Sequence, residues 1–182
     1  MADIVDQATR SRMMAGICGR NTQPELFIRK YLHRHGLRYR LHARDLPGSP
    51  DIVLPKWKVV ILVHGCFWHR HNGCRFNSTP ATNPKKWLRK FEDNVLRDRR
   101  NVDELVNSGW RIVILWECGV KDAKRGKESM DWLITYIQQV GSGLNILEWP
   151  VIDSEPAISS VSFALGAACG SERARRRAGE GR

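Results

Sequence analysis

The chain has 182 residues and a formal net charge of +11, from 30 lysines and arginines against 19 aspartates and glutamates. This length suits one domain with its own hydrophobic core, and the distributed positive charge favours a polyanionic partner such as nucleic acid. No apolar run approaches the ~20 residues that a membrane-spanning helix needs, which argues against a membrane partner. The opening residues M-A-D-I-V-D-Q lack the features of a secretory signal, so we expect a cytoplasmic protein.

Composition divides the chain into three parts. Residues 1–20 are basic and weakly patterned, and we expect them to be a DNA-binding arm that becomes ordered on its partner. Residues 21–141 carry the helix and strand patterns of the folded domain. Residues 142–182 lose these patterns and end in S-E-R-A-R-R-R-A-G-E-G-R, which predicts a basic and largely flexible tail.

The first predicted element is a helix. Asn21 or Thr22 can cap its N-terminus, Pro24 suits its first turn, and Gly36 can end it. Strand patterns follow at about 38–41, 51–54 and 57–63. The last of these is a nearly continuous β-branched run, typical of a buried strand.

A long amphipathic helix is predicted from Asn83 to about Gly109. One side of it is apolar, with Trp87, Phe91, Val95 and Val102, and the other side is rich in lysine and arginine. A strand over 111–116 and a helix over 128–140 follow. This order predicts a three-layer α/β domain with a central mixed sheet.

Residues 59–74, V-V-I-L-V-H-G-C-F-W-H-R-H-N-G-C, contain most of the reactive side chains. Cys66, His71 and Cys74 have the short spacings of zinc ligands, and Cys118, after another apolar strand, is the best fourth ligand. Four such ligands close a tetrahedral shell, so this zinc would be structural. The alternative is a set of buried cysteines with a surface histidine.

A second group of side chains is available for catalysis. Asp51 begins a strand after a Pro-Gly turn, where a nuclease commonly holds Mg²⁺, although an aspartate there could simply cap the turn. Glu25 lies on the preceding helix. His64 and His69 are suited to acid and base chemistry near neutral pH, and Asp98 could orient a nearby imidazole.

Phe67 and Trp68 lie in the loop that the zinc would hold. They could project together as a wedge between stacked bases, although burial against the sheet is the commoner fate of such a pair. Trp87 has the same two possibilities, and its place on the apolar side of the long helix favours the core.

Several short motifs point to one family: A-T-R-S-R near the start, L-P-G-x-P-D ending at Asp51, H-G-C-F-W-H, N-V-x-R-D-R-R and G-W-R-x-x-I-x-W-E-C. With these motifs, about residues 1–140 resemble the very short patch repair (Vsr) family of DNA mismatch endonucleases. The resemblance implies a restriction-endonuclease-like fold and a Mg²⁺-dependent nick 5′ to the thymine of a T:G mismatch. Because such mismatches arise from deaminated 5-methylcytosine, it also implies a functional link to a cytosine-5 DNA methyltransferase and to downstream repair proteins. We expect a monomer.

The resemblance also assigns roles by position. Asp51 and the backbone carbonyl of Val63 correspond to Mg²⁺ ligands, and His69 corresponds to the residue that activates water. The supporting active-site residues correspond to His64, Glu25 and Asp98. The structural zinc ligands correspond to Cys66, His71, Cys74 and Cys118. The residues that enter the DNA next to the mismatch correspond to Phe67, Trp68 and Trp87, with Met14 approaching from the other groove.

Two features depart from the expected patterns. The second strand has Leu62, Val63 and His64 where most of the wider nuclease superfamily has an acid and a lysine, so histidine chemistry must replace the lysine; this replacement is typical of the Vsr branch. The loop H-N-G-C is one residue longer than the family pattern. Two other functions stay open: a restriction-type enzyme of related fold that cuts matched duplex, and a non-catalytic zinc-stabilised DNA-binding module.

Overall fold

The structure is a computed structural model that describes residues 6, 8, 9, 12, 19–139 and 145–152. Met14, Cys18 and Cys169 lie outside the described residues. Numbered from residue 19 onward, the helices are α1 (Gln23–Arg34), α2 (Pro84–Asn107), α3 (Glu117–Lys124) and α4 (Asp131–Gln138). The strands are β1 (Arg40–Leu41), β2 (Ile52–Leu54), β3 (Val59–His64), β4 (Arg111–Trp116) and β5 (Ile146–Trp149).

The five strands form one sheet in the order β1-β2-β3-β4-β5. Strand β2 runs antiparallel to both β1 and β3, whereas β3, β4 and β5 are parallel, which confirms the predicted mixed sheet. His64 pairs with Trp116 at the ends of β3 and β4, so the loops that follow these strands begin side by side. Asp51 precedes β2 at the same edge, because Ile52 pairs with Ile61 of β3.

Helices cover both faces of the sheet. Val59 and Ile61 of β3 belong to a core that also contains buried side chains of α1, α3 and α4. Val60, which points to the opposite face, packs with Val102 and Leu105 of α2. The described residues therefore form the three layers that the sequence predicted.

The start of α1 follows the sequence closely. Thr22 is the N-cap: its hydroxyl accepts from the Glu25 amide, and the Glu25 side chain accepts from the Thr22 amide, which makes a capping box. This local pairing fixes Glu25 at the edge of the sheet where Asp51 lies.

Among the described residues, one α-helix and one strand were not predicted from the sequence. Helix α3 follows β4 directly, and its first turn contains Cys118. Strand β5 lies within 142–182, the segment predicted to be a largely flexible tail. That prediction is wrong for Ile146–Trp149, because these residues pair with β4 and extend the sheet. The four residues of β5 alternate only between exposed and half-buried positions. An alternation this short and weak does not predict a strand from sequence. None of the described helices has both the length and the apolar character needed to cross a bilayer.

Candidate active site and metal centre

One cleft of about 670 Å³ opens at the edge of the sheet where β3 ends. Its walls include all five side chains proposed for catalysis: Glu25, Asp51, His64, His69 and Asp98. Two groups of possible metal ligands lie here, Glu25–His42–Asp51 and His64–His69–Asp98. Within each group the ligand atoms are no more than 4.8 Å apart.

Asp51 is a mostly buried carboxylate joined to strand β3. The Val63 N–H donates to its Oδ2 over 2.8 Å. Because the N–H and C=O of one residue in a strand point to the same side, the Val63 carbonyl lies on the Asp51 side of β3. Burial raises the pKa of Asp51 to about 6, the Val63 bond opposes this rise, and the charge of Glu25 adds to it. A carboxylate in this environment is well suited to a divalent cation, which would stabilise its ionised form.

His69 is oriented by Asp98. The two side chains meet with a distance of 2.5 Å between Nδ1 and Oδ2. Burial works to raise the pKa of Asp98, but the hydrogen bond and charge of His69 outweigh it and lower the pKa. The ionised carboxylate can only accept a hydrogen bond, so His69 donates from Nδ1, and Nε2 is the ring nitrogen that Asp98 leaves unengaged.

His64 supports the same pair by stacking. Its ring lies parallel to that of His69, with 4.1 Å between centroids and 7° between planes. Burial, followed by the nearby His69, lowers the pKa of His64 to about 3. His64 is therefore neutral near pH 7. Its part in acid and base chemistry stays a prediction; the structure adds that its ring packs directly against that of His69.

Glu25 is buried and has its hydrogen-bonding capacity filled. Its carboxylate accepts from four donors, namely the amide and hydroxyl of Thr22, the amide of Asn21 and the guanidinium of Arg29. It therefore shapes the wall of the cleft and is not free to act as a base.

His42 is a cleft residue that sequence reasoning missed. The backbone N–H of His42 donates to the backbone carbonyl of Asp51 over 3.3 Å, which continues the β1–β2 pairing by one residue. Burial, and then the charge of Arg29, lowers the pKa of His42. His42 lies nine residues before Asp51, which is not a spacing typical of metal ligands. Its place in the cleft therefore follows only from the pairing of β1 with β2.

The four predicted zinc ligands come together in a buried cluster of Cys66, His71, Cys74 and Cys118. The His71 Nδ1 atom lies 3.7 Å from the Cys66 sulfur and 3.4 Å from the Cys118 sulfur. A tetrahedral zinc with ordinary bond lengths would place such nitrogen and sulfur atoms ~3.6 Å apart. Burial raises the pKa of the Cys66 and Cys118 thiols, so a bound cation is what would hold them as thiolates. The donor set and its spacing fit zinc.

The segment after β5 completes the surroundings of this cluster. The His71 Nε2 atom lies 3.1 Å from the Pro150 carbonyl, an outer partner of the kind that fixes metal-binding histidines. The His71 ring also stacks on Trp116, with 4.2 Å between centroids. A Cβ on Gly119 would lie 2.4 Å from Pro150, so Gly119 permits this close approach.

The aromatic residues of the pinned loop form a partly exposed patch with the start of α2. Phe67 meets Trp68 and Trp87 edge to face, with centroid distances of 4.9 and 5.6 Å. Lys90 lies over the Trp68 ring at 4.8 Å. The sequence favoured the core for Trp87, but the structure leaves it half-buried in this patch because the first turns of α2 extend beyond the sheet core.

Known proteins resemble this chain in sequence. The family model described as DNA mismatch endonuclease Vsr matches residues 2–75. The chain is 44% identical over 130 residues to the DNA mismatch endonuclease Vsr of Escherichia coli K12, which covers 71% of this chain and 80% of that protein. The chain belongs to the Vsr DNA mismatch endonuclease family.

Two other proteins similar to this chain are named nicking enzymes. The chain is 43% identical over 122 residues to the Type II nicking enzyme V.XorIIP of Xanthomonas oryzae pv. oryzae, covering 67% of this chain and 89% of that protein. It is 38% identical over 138 residues to the Type II nicking enzyme V.NmeAIP of Neisseria meningitidis serogroup A, covering 76% of this chain and 98% of that protein. Family membership confirms the resemblance found in the motifs.

In this Vsr-family protein, Trp68 connects the aromatic patch with the cleft. Its ring belongs to the patch, and the residue also lines the cleft beside His69. Asn94 of α2 donates to the Trp68 carbonyl over 3.2 Å and fixes the loop against the helix. A ligand that contacts Trp68 in the patch would therefore lie next to the cleft.

Proposed function

We propose that this protein nicks one DNA strand on the 5′ side of the thymine in a T:G mismatch and so begins very short patch repair. The observation that carries the proposal is that Asp51 and the His69–Asp98 pair line one cleft, with Trp68 on its wall. The cleft thus combines a cation-binding carboxylate, an oriented base and an aromatic residue that can contact bases. The substrate would be double-stranded DNA in which 5-methylcytosine has deaminated.

The proposed fold is restriction-endonuclease-like. Its support is the mixed sheet with helices on both faces and a carboxylate at the edge where β2 and β3 meet. We further propose that the protein acts as a cytoplasmic monomer, linked in function to a cytosine-5 DNA methyltransferase and to downstream repair proteins. All the side chains proposed for catalysis line the same cleft, which agrees with one cut per binding event, and two relatives carry the name nicking enzyme.

Asp51 and the Val63 carbonyl would hold the catalytic Mg²⁺, which when bound polarises the scissile phosphate and promotes ionisation of water. His69 takes the proton of the attacking water at Nε2, because Nδ1 is engaged with Asp98. Asp98 keeps the ring in this tautomer and stabilises the positive charge that His69 acquires. His64 fixes the plane of the ring by stacking on it.

Cys66, His71, Cys74 and Cys118 would hold structural Zn²⁺, which supplies a rigid cross-link and leaves no open coordination position. This cross-link keeps the loop that carries Phe67 and Trp68 in one conformation. Phe67, Trp68 and Trp87 then enter the base stack at the mismatch. Unstacking costs a few kcal/mol per step and least at a mismatch, which gives selectivity without reading every base.

The test is a Mg²⁺-dependent nicking assay on duplex oligonucleotides that carry T:G within randomised flanks, with Asp51→Ala as the inactive control. The proposal predicts one cut strand and no product from Asp51→Ala. Cleavage of both strands of matched duplex would favour a restriction-type enzyme. Tight binding without any cleavage would favour a zinc-stabilised binding module.

A further inference from the structure

Trp116, the last residue of β4, is buried between the metal centre and the histidines of the cleft. Its indole stacks on the His71 ring, with 4.2 Å between centroids and 9° between planes. It meets the His64 ring edge to face, with 5.4 Å between centroids and 70° between planes. His64 in turn stacks on His69 at 4.1 Å. Four rings in contact therefore connect a predicted zinc ligand with the proposed proton acceptor.

The strand register explains why these side chains meet. His64 and Trp116 are partners in the parallel pairing of β3 with β4, so their side chains lie side by side on one face of the sheet. Ile114, two residues before Trp116, is the partner of Glu148 on β5. Because side chains alternate along a strand, Glu148 points to the same face as Trp116. Three parallel strands thus each contribute one side chain to this face.

Glu148 fixes the rotation of the indole. The Trp116 Nε1–H donates to Glu148 Oε1 over 2.6 Å. This N–H is the one polar group of the indole, and a buried N–H needs an acceptor. Stacking on His71 sets the plane of the indole but permits small rotations within that plane, and the hydrogen bond to Glu148 opposes them. The contact with His64 is therefore fixed from β5.

His69 depends on a fixed ring because its two nitrogens have different tasks. Nδ1 donates to Asp98, while Nε2 must face the attacking water in the proposed reaction. A single hydrogen bond to Asp98 leaves the ring able to swing about that bond, and the parallel ring of His64 opposes the swing. His64 can do so only if it is itself held, and Trp116 is the second ring that contacts it.

We propose that Trp116 is a positioning residue for strand cleavage: anchored by Glu148, its indole holds His64, which in turn holds the ring of His69. The inference deepens the proposed function and rests on it in one respect, namely that His69 accepts the proton of the attacking water. It gives β5 a part in the reaction, although none of the described residues that line the cleft belongs to β5.

The experiment measures single-turnover nicking of a T:G oligonucleotide by zinc-loaded protein in Mg²⁺, together with the Kd of that oligonucleotide. Glu148→Leu removes the acceptor at an exposed strand position, so the fold should be retained. We expect the cleavage rate constant to fall by about 10- to 100-fold, because a reacting group is displaced, and Kd to stay within about twofold. Glu148→Gln keeps an oxygen acceptor and should restore the rate constant to within about threefold of wild type.

The partner residue gives an independent arm. Trp116→Phe keeps a ring beside His71 but has no N–H, and it should slow cleavage by a similar factor. Because Trp116 and Glu148 act through one hydrogen bond, adding Glu148→Leu to Trp116→Phe should slow cleavage by no more than about twofold further. The matched control is Trp110→Phe, which alters a half-buried tryptophan just before β4, at the end of that strand away from the cleft. It should leave the rate constant within about twofold of wild type.

A second readout does not depend on cleavage. It is the NMR spectrum of the His64 and His69 rings in zinc-loaded protein without DNA, assigned with His64→Ala and His69→Ala. Glu148→Leu should shift the Trp116 indole N–H signal and the ring signals of both histidines. Glu148→Gln should leave the histidine signals at their wild-type positions. A merely structural contact would not give this pattern.

Zinc affinity, measured by competition with a chelator, separates a loosened ring from a weakened metal centre. Glu148→Leu should leave the affinity within about threefold of wild type, because His71 keeps its own partner, the Pro150 carbonyl. A larger loss of affinity, with cleavage restored by excess zinc, would overturn the inference. So would a loss of cleavage rate below about fivefold in Glu148→Leu, a Trp110→Phe variant as slow as Trp116→Phe, or histidine signals that do not shift.

The Glu148 variants decide the matter even where Trp116→Phe fails to fold. A wild-type protein that does not nick the T:G oligonucleotide, but whose histidine signals shift in Glu148→Leu and not in Glu148→Gln, would refute the proposed function while the hold of Trp116 on His64 and His69 stands. A protein that nicks this oligonucleotide equally fast as wild type and as Glu148→Leu would refute the inference alone.

Discussion

Replacing Asp51 by Asn should stabilise the protein at neutral pH when no divalent cation is added. The asparagine can still accept the Val63 N–H, so the main contact of this side chain in the folded state is retained. What disappears is the cost of keeping an ionised carboxylate in a mostly buried position beside Glu25. Active sites commonly carry such a cost because the group is placed for function.

The magnitude follows from the pKa. Burial raises the pKa of Asp51 from 3.8 to about 6 in the folded protein. The folded state therefore binds more protons than the unfolded state between these values, and stability falls as the pH rises through this window. Each tenfold change in proton affinity corresponds to about 1.4 kcal/mol. Above pH 6 the ionised Asp51 therefore lowers the free energy of unfolding by at most about 3 kcal/mol. Water in the cleft makes the actual loss smaller.

The assay is urea unfolding of zinc-loaded wild type and Asp51→Asn between pH 4 and 8. The stability gained by Asp51→Asn should be near zero at pH 4 and grow to about 1–3 kcal/mol above pH 6. Asp45→Asn is a control in which stability should change with pH in the opposite direction. The hydrogen bond from Arg40 lowers the pKa of Asp45, so the stabilisation that ionised Asp45 provides is lost as the pH falls. A difference for Asp51→Asn that does not change with pH, or a variant less stable than wild type at pH 7, would refute the reasoning.

Three further predictions concern the proton acceptor, the metal centre and the aromatic patch. His69→Ala should lower the nicking rate by about 10²–10⁴-fold while mismatch binding in a gel-shift assay stays within a few-fold of wild type; lost binding with retained cleavage would contradict its role. Gly119→Ala should destabilise the protein by about 1–3 kcal/mol and speed zinc release to a chelator, because its new Cβ would meet Pro150 2.4 Å away; unchanged zinc release would show that this contact does not support the centre. Trp68→Ala should weaken T:G binding by about 1–3 kcal/mol in fluorescence anisotropy, and an equal loss on matched duplex would mean that the ring does not sense the mismatch.

Much of the site could be predicted because its chemistry lies in short motifs at the ends of predictable strands. Asp51 follows a Pro-Gly turn and begins β2, whose antiparallel pairing with β3 brings it to the cleft. Cys118 follows β4, whose parallel pairing with β3 brings it to the metal centre. The long α2 helix then placed Asp98 opposite His69.

The rest depends on tertiary contacts that leave no periodic signal. Pro150 partners His71 through its backbone carbonyl, a group that nearly every residue offers, so its side chain gave no hint of the role. His42 reaches the cleft because its backbone pairs across to Asp51. Likewise, the sequence reveals the imidazole of His64 but neither its burial nor its stacking on His69.

The central claim is tested most directly by strand-specific cleavage of a single T:G duplex labelled on both strands. With Mg²⁺ the account predicts one product, cut immediately 5′ of the mispaired thymine, with the other strand and the matched C:G duplex intact and no product from Asp51→Ala. Cleavage of both strands, equal cleavage of the C:G duplex, or no cleavage by folded and zinc-loaded protein would contradict it.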